Sequence, residues 1–252
     1  MTNLTNKTAL VAGASRGIGL AIARTLAEAG ARTILAARSL DALEREAAAL
    51  REEGLEAEAL RLDMGEPATF ATVPPVDILI AVAGTNIRKR FENYTRQEYD
   101  FLLQTNLHGI VELTQVVGGG MVERGTGGKI VVIGSLTSLL GLPYLSVYAI
   151  TKSALAGLTR ALAAEWGRHD IQVNCIAPGF ILTDLNRAMW QDPEMKRWLA
   201  GAQSSPRMGT PEDIAPLAAF LSGPGSNYIT GQVIAVDGGY STTATWPFEP
   251  SV

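Results

Sequence analysis

Residues 8–30, TALVAGASRGIGLAIARTLAEAG, decide the fold. Thr8 to Ala12 is a short apolar run with strand character. Gly13, Gly17 and Gly19 follow in a G-x-x-x-G-x-G turn that also holds Ser15, Arg16 and Ile18. A helical pattern then runs from Leu20 through Ala29 and stops at Gly30. Strand, glycine-rich turn and helix together make a phosphate cradle. Glycines let the backbone approach a pyrophosphate, and the helix start offers unpaired N–H groups and the positive end of its dipole.

The next stretch refines the ligand. Thr33 to Ala36 reads as strand two, and Ser39 caps a helix from Leu40 to Glu53. In dinucleotide-binding folds the end of strand two meets the adenosine ribose. An acid there accepts a bond from the 2′-OH, and an arginine accommodates a 2′-phosphate. This chain has Arg38 and no acid at that end, with Arg16 in the glycine turn nearby. The pattern favours NADP(H) over NAD(H).

Five more strand candidates follow: Glu58–Leu62, Ile78–Val82, Lys129–Ile133, Gln172–Ile176 and Gln232–Val236. Pro67, Pro74 and Pro75 leave little room for a helix between the third and fourth, so that connection should be short or irregular. A helix from about Arg96 to Val117 carries Asn106, and Gly118 to Gly120 should break it or mark a tight contact with another backbone. Further helices are expected over Val147–Trp166 and Pro211–Leu221. Seven strands alternating with helices imply an α/β fold, a single-domain doubly wound parallel sheet of the Rossmann type over residues 1–252. The segment from Phe180 to Met208, rich in large side chains, reads as one or two short helices. Leu182 to Met208 is expected to act as a lid over a site. A tail from Tyr240 to Val252 carries Trp246 and Phe248, and it is expected to pack near a substrate pocket or across a subunit boundary.

The chemistry sits in the stretch Ile133 to Leu155, IGSLTSLLGLPYLSVYAITKSAL. Ser135 follows the β-branched strand, and Tyr148 and Lys152 stand at i and i+4 on one helix face. A free tyrosine titrates near pH ~10. A neighbouring ammonium favours the phenolate and lowers that value, so the pair is expected to move a proton near neutral pH.

Composition narrows the classes. The chain has 252 residues, 47% of them hydrophobic, with a formal net charge of −4. That suits one large domain and gives no electrostatic case for nucleic acid. No apolar run approaches the ~20 residues of a membrane span. The single cysteine, Cys175, is expected to be a small buried hydrophobe, and His108 and His169 lack metal-ligand spacing, so no metal is expected. A cytoplasmic location is expected.

Gly13-x-x-x-Gly17-x-Gly19, Asn106, Ser135 with Tyr148 and Lys152, and Pro178-Gly179 with Thr183 together resemble the short-chain dehydrogenase/reductase family from about Lys7 to Gly239. The resemblance implies that Tyr148 is the acid/base. Lys152 lowers its pKa and holds the nicotinamide ribose, Ser135 orients the carbonyl, and Asn106 anchors a proton relay. It implies cofactor contacts at Gly13, Ser15, Arg16, Gly17, Ile18, Gly19, Arg38, Asp63, Met64, Ala83, Gly84, Pro178, Gly179, Ile181 and Thr183. Substrate contacts are expected from Asn86, Arg88, Thr137, Phe180, Met189 and Trp190, with Arg88 or Arg90 meeting a carboxylate. Ala81-Val82-Ala83-Gly84 replaces the family's Asn-Asn-Ala-Gly, which puts the bracing of the central sheet in question. Within the family the chain looks most like the sugar-acid and polyol dehydrogenases, of the gluconate 5-dehydrogenase and 2-deoxy-gluconate dehydrogenase kind. A 3-oxoacyl thioester reductase or a general carbonyl reductase is the alternative. A homotetramer acting on a small carbonyl or alcohol substrate is expected on the same ground.

Overall fold

The computed structural model describes residues 2–184 and 186–244. Seven strands form one sheet: β1 (Thr8–Ala12), β2 (Arg32–Ala37), β3 (Ala57–Arg61), β4 (Ile78–Ala81), β5 (Gly128–Ile133), β6 (Ile171–Pro178) and β7 (Val233–Val236). Their order is β3-β2-β1-β4-β5-β6-β7, and every pairing is parallel. The chain winds outward from β1 to β3, then returns to lay β4 on the other side of β1. The strand order reverses between β1 and β4, and at such a switch point the connections leaving the carboxyl ends diverge and open a crevice.

Both faces of the sheet are covered, which is why the strands read as continuous apolar runs rather than alternating ones. The alternation appears instead in which core each residue joins. Val11, Ile80, Val131 and Ile133 point to one core, shared with Ile22 and Leu26 of α1 (Gly17–Glu28), Leu43 of α2 (Leu40–Glu52) and Ile214 further on. Leu10, Leu79, Ile130 and Val132 point to the other, shared with Ile110, Leu113, Val117 and Met121.

The second core is closed by a long helical run. It comprises α3 (Arg96–Leu103), a π-helical turn over Gln104–His108, and α4 (Gly109–Arg124), followed by α5 (Ser146–Trp166). The excursion after β6 contains α6 (Pro193–Ala202), and α7 (Pro211–Ser222) returns to the first core. The β3–β4 connection is a single 3₁₀ segment, Pro67–Thr72, in keeping with its prolines. Among the described residues no helix is long and apolar enough to cross a membrane.

Two expectations need correction. The helix after the glycine turn begins at Gly17, not Leu20, so the last two glycines already lie in its first turn. The glycines at 118–120 do not break α4, which continues to Arg124 and ends at Gly125 in the left-handed conformation (φ 63°). A Cβ on Gly118 would stand 2.3 Å from the indole of Trp166. The close approach is therefore to α5 of the same chain, and that packing offsets the low helix propensity. Around Gly119 there is open space.

The pair gives a test. Gly118→Ala should lower unfolding stability by about 1–3 kcal/mol through overpacking. Gly119→Ala should raise it by up to about 1 kcal/mol through helix propensity. Urea unfolding of the two variants beside the parent checks both signs.

Candidate active site

The crevice is lined first by the glycine turn. Gly13 donates to the Ala36 carbonyl at 2.7 Å, and Ala83 donates to the Ala12 carbonyl at 2.9 Å, so the ends of β2 and β4 both grip the end of β1. A Cβ on Gly13 would meet the Ala83 nitrogen at 2.8 Å; only glycine permits this closure. Arg16 precedes α1, its side chain caps nothing, and no acidic residue stands in the first turn. The first-turn N–H groups of α1 thus face the crevice without a capping side chain. The Thr183 methyl packs on Gly17, which brings the Pro178–Thr183 loop against the glycine turn. Ser15 and Ile18 are half-buried there.

At the end of β2, Arg38 is exposed, as is Arg16, and neither forms an ion pair among the described residues. At the end of β3, the Asp63 carboxylate accepts from the Gly65 N–H at 2.9 Å. The Met64 carbonyl accepts from the Gln104 amide at 3.0 Å. Gly179 lies so close to Asp237 that a Cβ would stand 2.5 Å from its Cα.

β5 and α5 bring the polar group together. Beyond β5, Ser135 Oγ accepts from the Thr137 N–H at 3.1 Å. Ser138 Oγ accepts from the Ser135 N–H at 3.2 Å and donates to the Lys152 carbonyl at 2.9 Å, which ties the strand end to the helix. Lys152 is 3% exposed. Its Nζ donates to the Ile133 carbonyl at 2.8 Å and lies 5.7 Å from the centre of the Tyr148 ring. Burial pulls the ammonium down to about 8.

The phenol behaves differently from the sequence expectation. Burial pushes the Tyr148 pKa up, and only the Ser135 hydroxyl pulls against it. The ammonium spends its shortest bond on a carbonyl rather than on the phenol, so desolvation decides the direction.

Asn106 sits fully buried in the π-helical turn. Its Oδ1 accepts from the Thr85 N–H at 2.8 Å and its Nδ2 donates to the Thr85 carbonyl at 2.7 Å. Nδ2 also stands 3.5 Å from Thr151 Oγ1, which donates to the Tyr148 carbonyl at 2.7 Å. Thr85 and Thr151 are absent from the sequence-derived set. Thr151, beside Lys152 and three residues from Tyr148, carried a readable signal; Thr85 carried none. Ala81 is buried in the sheet between Ala12 and Val132. The bracing of the loop after β4 comes from Asn106. Gly84 adjoins both Asn106 and Lys152.

The remaining candidates fall on the outer side of the crevice. Asn86 is exposed. Arg88, also exposed, touches the Met189 sulfur across the gap to the excursion, whereas Arg90 turns away to Glu92 at 3.9 Å. Lys89 clamps the loop through Glu98 at 2.8 Å, and that carboxylate is held down to about 2 by the ammonium and the Thr95 N–H. Phe180 meets Trp190, Trp198 and Tyr240 edge-on at 5.0–5.5 Å between ring centres. Thr137 is buried, and its hydroxyl has no partner among the described residues. Paired bonds between Phe180–Leu182 and Gly209 pinch the base of the excursion. The tail reaches Phe180 through Tyr240, while Trp246 and Phe248 lie outside the described residues.

A parallel-sheet crevice with a phosphate cradle on one side and a serine, tyrosine and lysine on the other defines the nucleotide-dependent oxidoreductases as a class. A family model described as enoyl-(acyl carrier protein) reductase matches residues 13–241. The chain is 36% identical over 249 residues to a gluconate 5-dehydrogenase of Gluconobacter oxydans, covering 96% of this chain and 97% of that one. It is 38% identical over 248 residues to a tropinone reductase homolog of Arabidopsis thaliana, covering 95% and 94%. Among solved structures, a gluconate 5-dehydrogenase from Burkholderia cenocepacia J2315 in complex with NADP and tartrate superposes with a TM-score of 0.91 at 35% identity, covering 96% and 98%. The chain belongs to the short-chain dehydrogenase/reductase family.

The buried ammonium has a measurable consequence. Lys152 titrates near 8 in the folded chain and near 10.5 when exposed. Between those values the unfolded chain binds a proton that the folded chain lacks, so this group makes stability rise with pH across that window. Lys152→Met removes the effect. From pH 7.5 to 9.5 the parent should gain about 2 kcal/mol relative to Lys152→Met, at ~1.4 kcal/mol per pKa unit, in urea unfolding at both pH values.

Proposed function

We propose that this chain interconverts a ketone and a secondary alcohol with NADP(H), acting on a sugar acid or polyol. The observation that carries the reading is the placement of Ser135, Tyr148 and Lys152 at the mouth of the crevice whose floor is the glycine turn. The residues fit the cofactor. The uncapped start of α1 with Arg16 suits a pyrophosphate. Exposed Arg38, with no acid at the end of β2, suits a 2′-phosphate. Lys152 uses one of its three donors on Ile133, which leaves two for a ribose. Asp63 and Met64 suit the adenine side, and Ala83, Gly84 and the Pro178–Thr183 loop the nicotinamide side. When bound, NADPH supplies the hydride.

The chain's own groups supply the rest. A phenol raised by burial holds its proton at neutral pH, so Tyr148 is set to give it to a carbonyl oxygen as negative charge develops there. Ser135 donates a hydrogen bond to the same oxygen. Asn106 holds the loop after β4 through Thr85 and reaches α5 through Thr151, which fixes where Tyr148 stands. Arg88 faces the excursion, where it is placed to pair with a substrate carboxylate. The excursion at 182–208 serves as the lid that excludes water. The chain works as a homo-oligomer, most simply a tetramer; Phe101 of α3 and Ile150 of α5, 46% and 45% exposed, are apolar faces for a second copy.

One feature favours a second reading. Phe180, Trp190, Trp198 and Tyr240 form an aromatic wall beside the Pro178–Thr183 loop. Such a wall suits a general carbonyl reductase of bulkier apolar ketones better than it suits a polyol. A panel of keto sugar acids, ketoses, cyclic ketones and 3-oxoacyl thioesters, assayed with NADPH, separates the readings. Turnover of the keto sugar acids above the others, lost on Arg88→Ala through KM, is the expected result.

Two variants test the assignment of roles. Tyr148→Phe should reduce kcat far more than tenfold, a barrier change beyond ~1.4 kcal/mol, while NADPH still binds in titration. The parent should prefer NADPH over NADH in kcat/KM, and Arg38→Asp should move that preference toward NADH. A parent that prefers NADH would remove Arg38 from the cofactor site.

A further inference from the structure

A cavity of about 500 Å3 lies within the excursion between β6 and α7, and all of its described walls come from residues 182–208. Neither the glycine turn nor Ser135, Tyr148 or Lys152 lines it. Its volume is that of a small-molecule site. Its floor is apolar, built on Trp190, Leu199 and Met208, with the first two 3% and 4% exposed. Its rim carries the exposed cations Arg187, Lys196 and Arg207.

The polar groups of this lining are unevenly satisfied. The Arg187 guanidinium is paired with Asp184 at 3.0 Å, and Arg207 with Asp213 at 2.7 Å. Gln203 spends its amide N–H groups on the Ser205 and Arg207 carbonyls. Lys196 forms no ion pair among the described residues. The indole N–H of Trp190 is buried without an acceptor among them. Among the described residues no aspartate or glutamate lines the cavity. The charged and indole groups are donors only, so they select acceptor oxygens and negative charge. A polyol, whose every hydroxyl brings a donor, matches this lining poorly.

We propose that this cavity binds a small organic carboxylate with an apolar body, separately from the crevice of hydride transfer. The carboxylate oxygens accept from the Lys196 ammonium, and Trp190 forms part of the wall beside them. The apolar body lies against Leu199 and Met208. Because the walls all belong to the excursion, an occupant braces that segment from within rather than bridging it to the sheet.

Hexanoate and hexan-1-ol are the probes, titrated calorimetrically into the full chain. Hexanoate should bind saturably, and hexan-1-ol at least about tenfold more weakly. Lys196→Gln should weaken hexanoate by a similar factor. Tyr148→Phe and Arg88→Ala, which alter the crevice, should leave it unchanged. Trp190→Phe risks the fold, so the indole is read in the parent instead: its N–H resonance should shift as hexanoate saturates. Absence of saturable binding, equal binding of the alcohol, indifference to Lys196→Gln, or loss of binding in Tyr148→Phe or Arg88→Ala would each overturn the proposal. Every readout is binding without turnover, so the outcome does not depend on the proposed reaction.

Discussion

The buried ammonium of Lys152 is the constraint around which the site is arranged. A charge at 3% exposure is costly unless it is hydrogen-bonded. The fold meets that cost at the carboxyl end of β5, where the Ile133 carbonyl, no longer paired to a continuing strand, accepts it. The Lys152 carbonyl in turn receives the Ser138 hydroxyl, which also holds the Ser135 N–H. The ammonium, the serine and the tyrosine are thus positioned by one set of bonds. The set exists only because β5 stops where α5 passes. Gly84 lies alongside, where a Cβ would stand in ordinary contact with both Lys152 Nζ and Asn106.

Sheet topology explains why this group meets a phosphate cradle at all. Parallel strands put all their carboxyl ends on one edge, and the reversal between β1 and β4 keeps that edge open. The first element after β1 therefore lies beside the loops after β4, β5 and β6. Gly13 against Ala83, Thr183 against Gly17 and Gly84 against Lys152 are three expressions of that neighbourhood.

Much of this was legible because it is local. The glycine turn, the apolar strands and the i, i+4 pair each declare themselves within a short window, and the seven strands came out within two residues at each end. What the sequence hid depends on packing between distant segments. Three glycines at 118–120 leave a helix break and a tight contact both open, since local propensity cannot register that Trp166 occupies the place of a Cβ. The π-helical turn that aims Asn106 at Thr85 has no compositional mark. The direction of the Tyr148 shift was misread for the same reason. Adjacency of Lys152 is visible in the sequence, but the burial that outweighs it is not.

The outer half of the site follows a looser logic. Asn106 and Lys152 are fixed by bonds to backbone groups, whereas the excursion is held by bonds to Gly209 and from the Ser205 N–H to the Gly238 carbonyl, by the Arg207–Asp213 pair and by rings, Phe180 against Trp190, Trp198 and Tyr240. Edge-on aromatic contacts tolerate small displacements that a hydrogen bond does not. On the function proposed above, the chemistry falls to strand ends and a buried helix, and substrate recognition falls to the excursion. A gluconate 5-dehydrogenase and a tropinone reductase homolog both stand among this chain's relatives, and one fold hosting different chemistries through its variable segments is a general pattern.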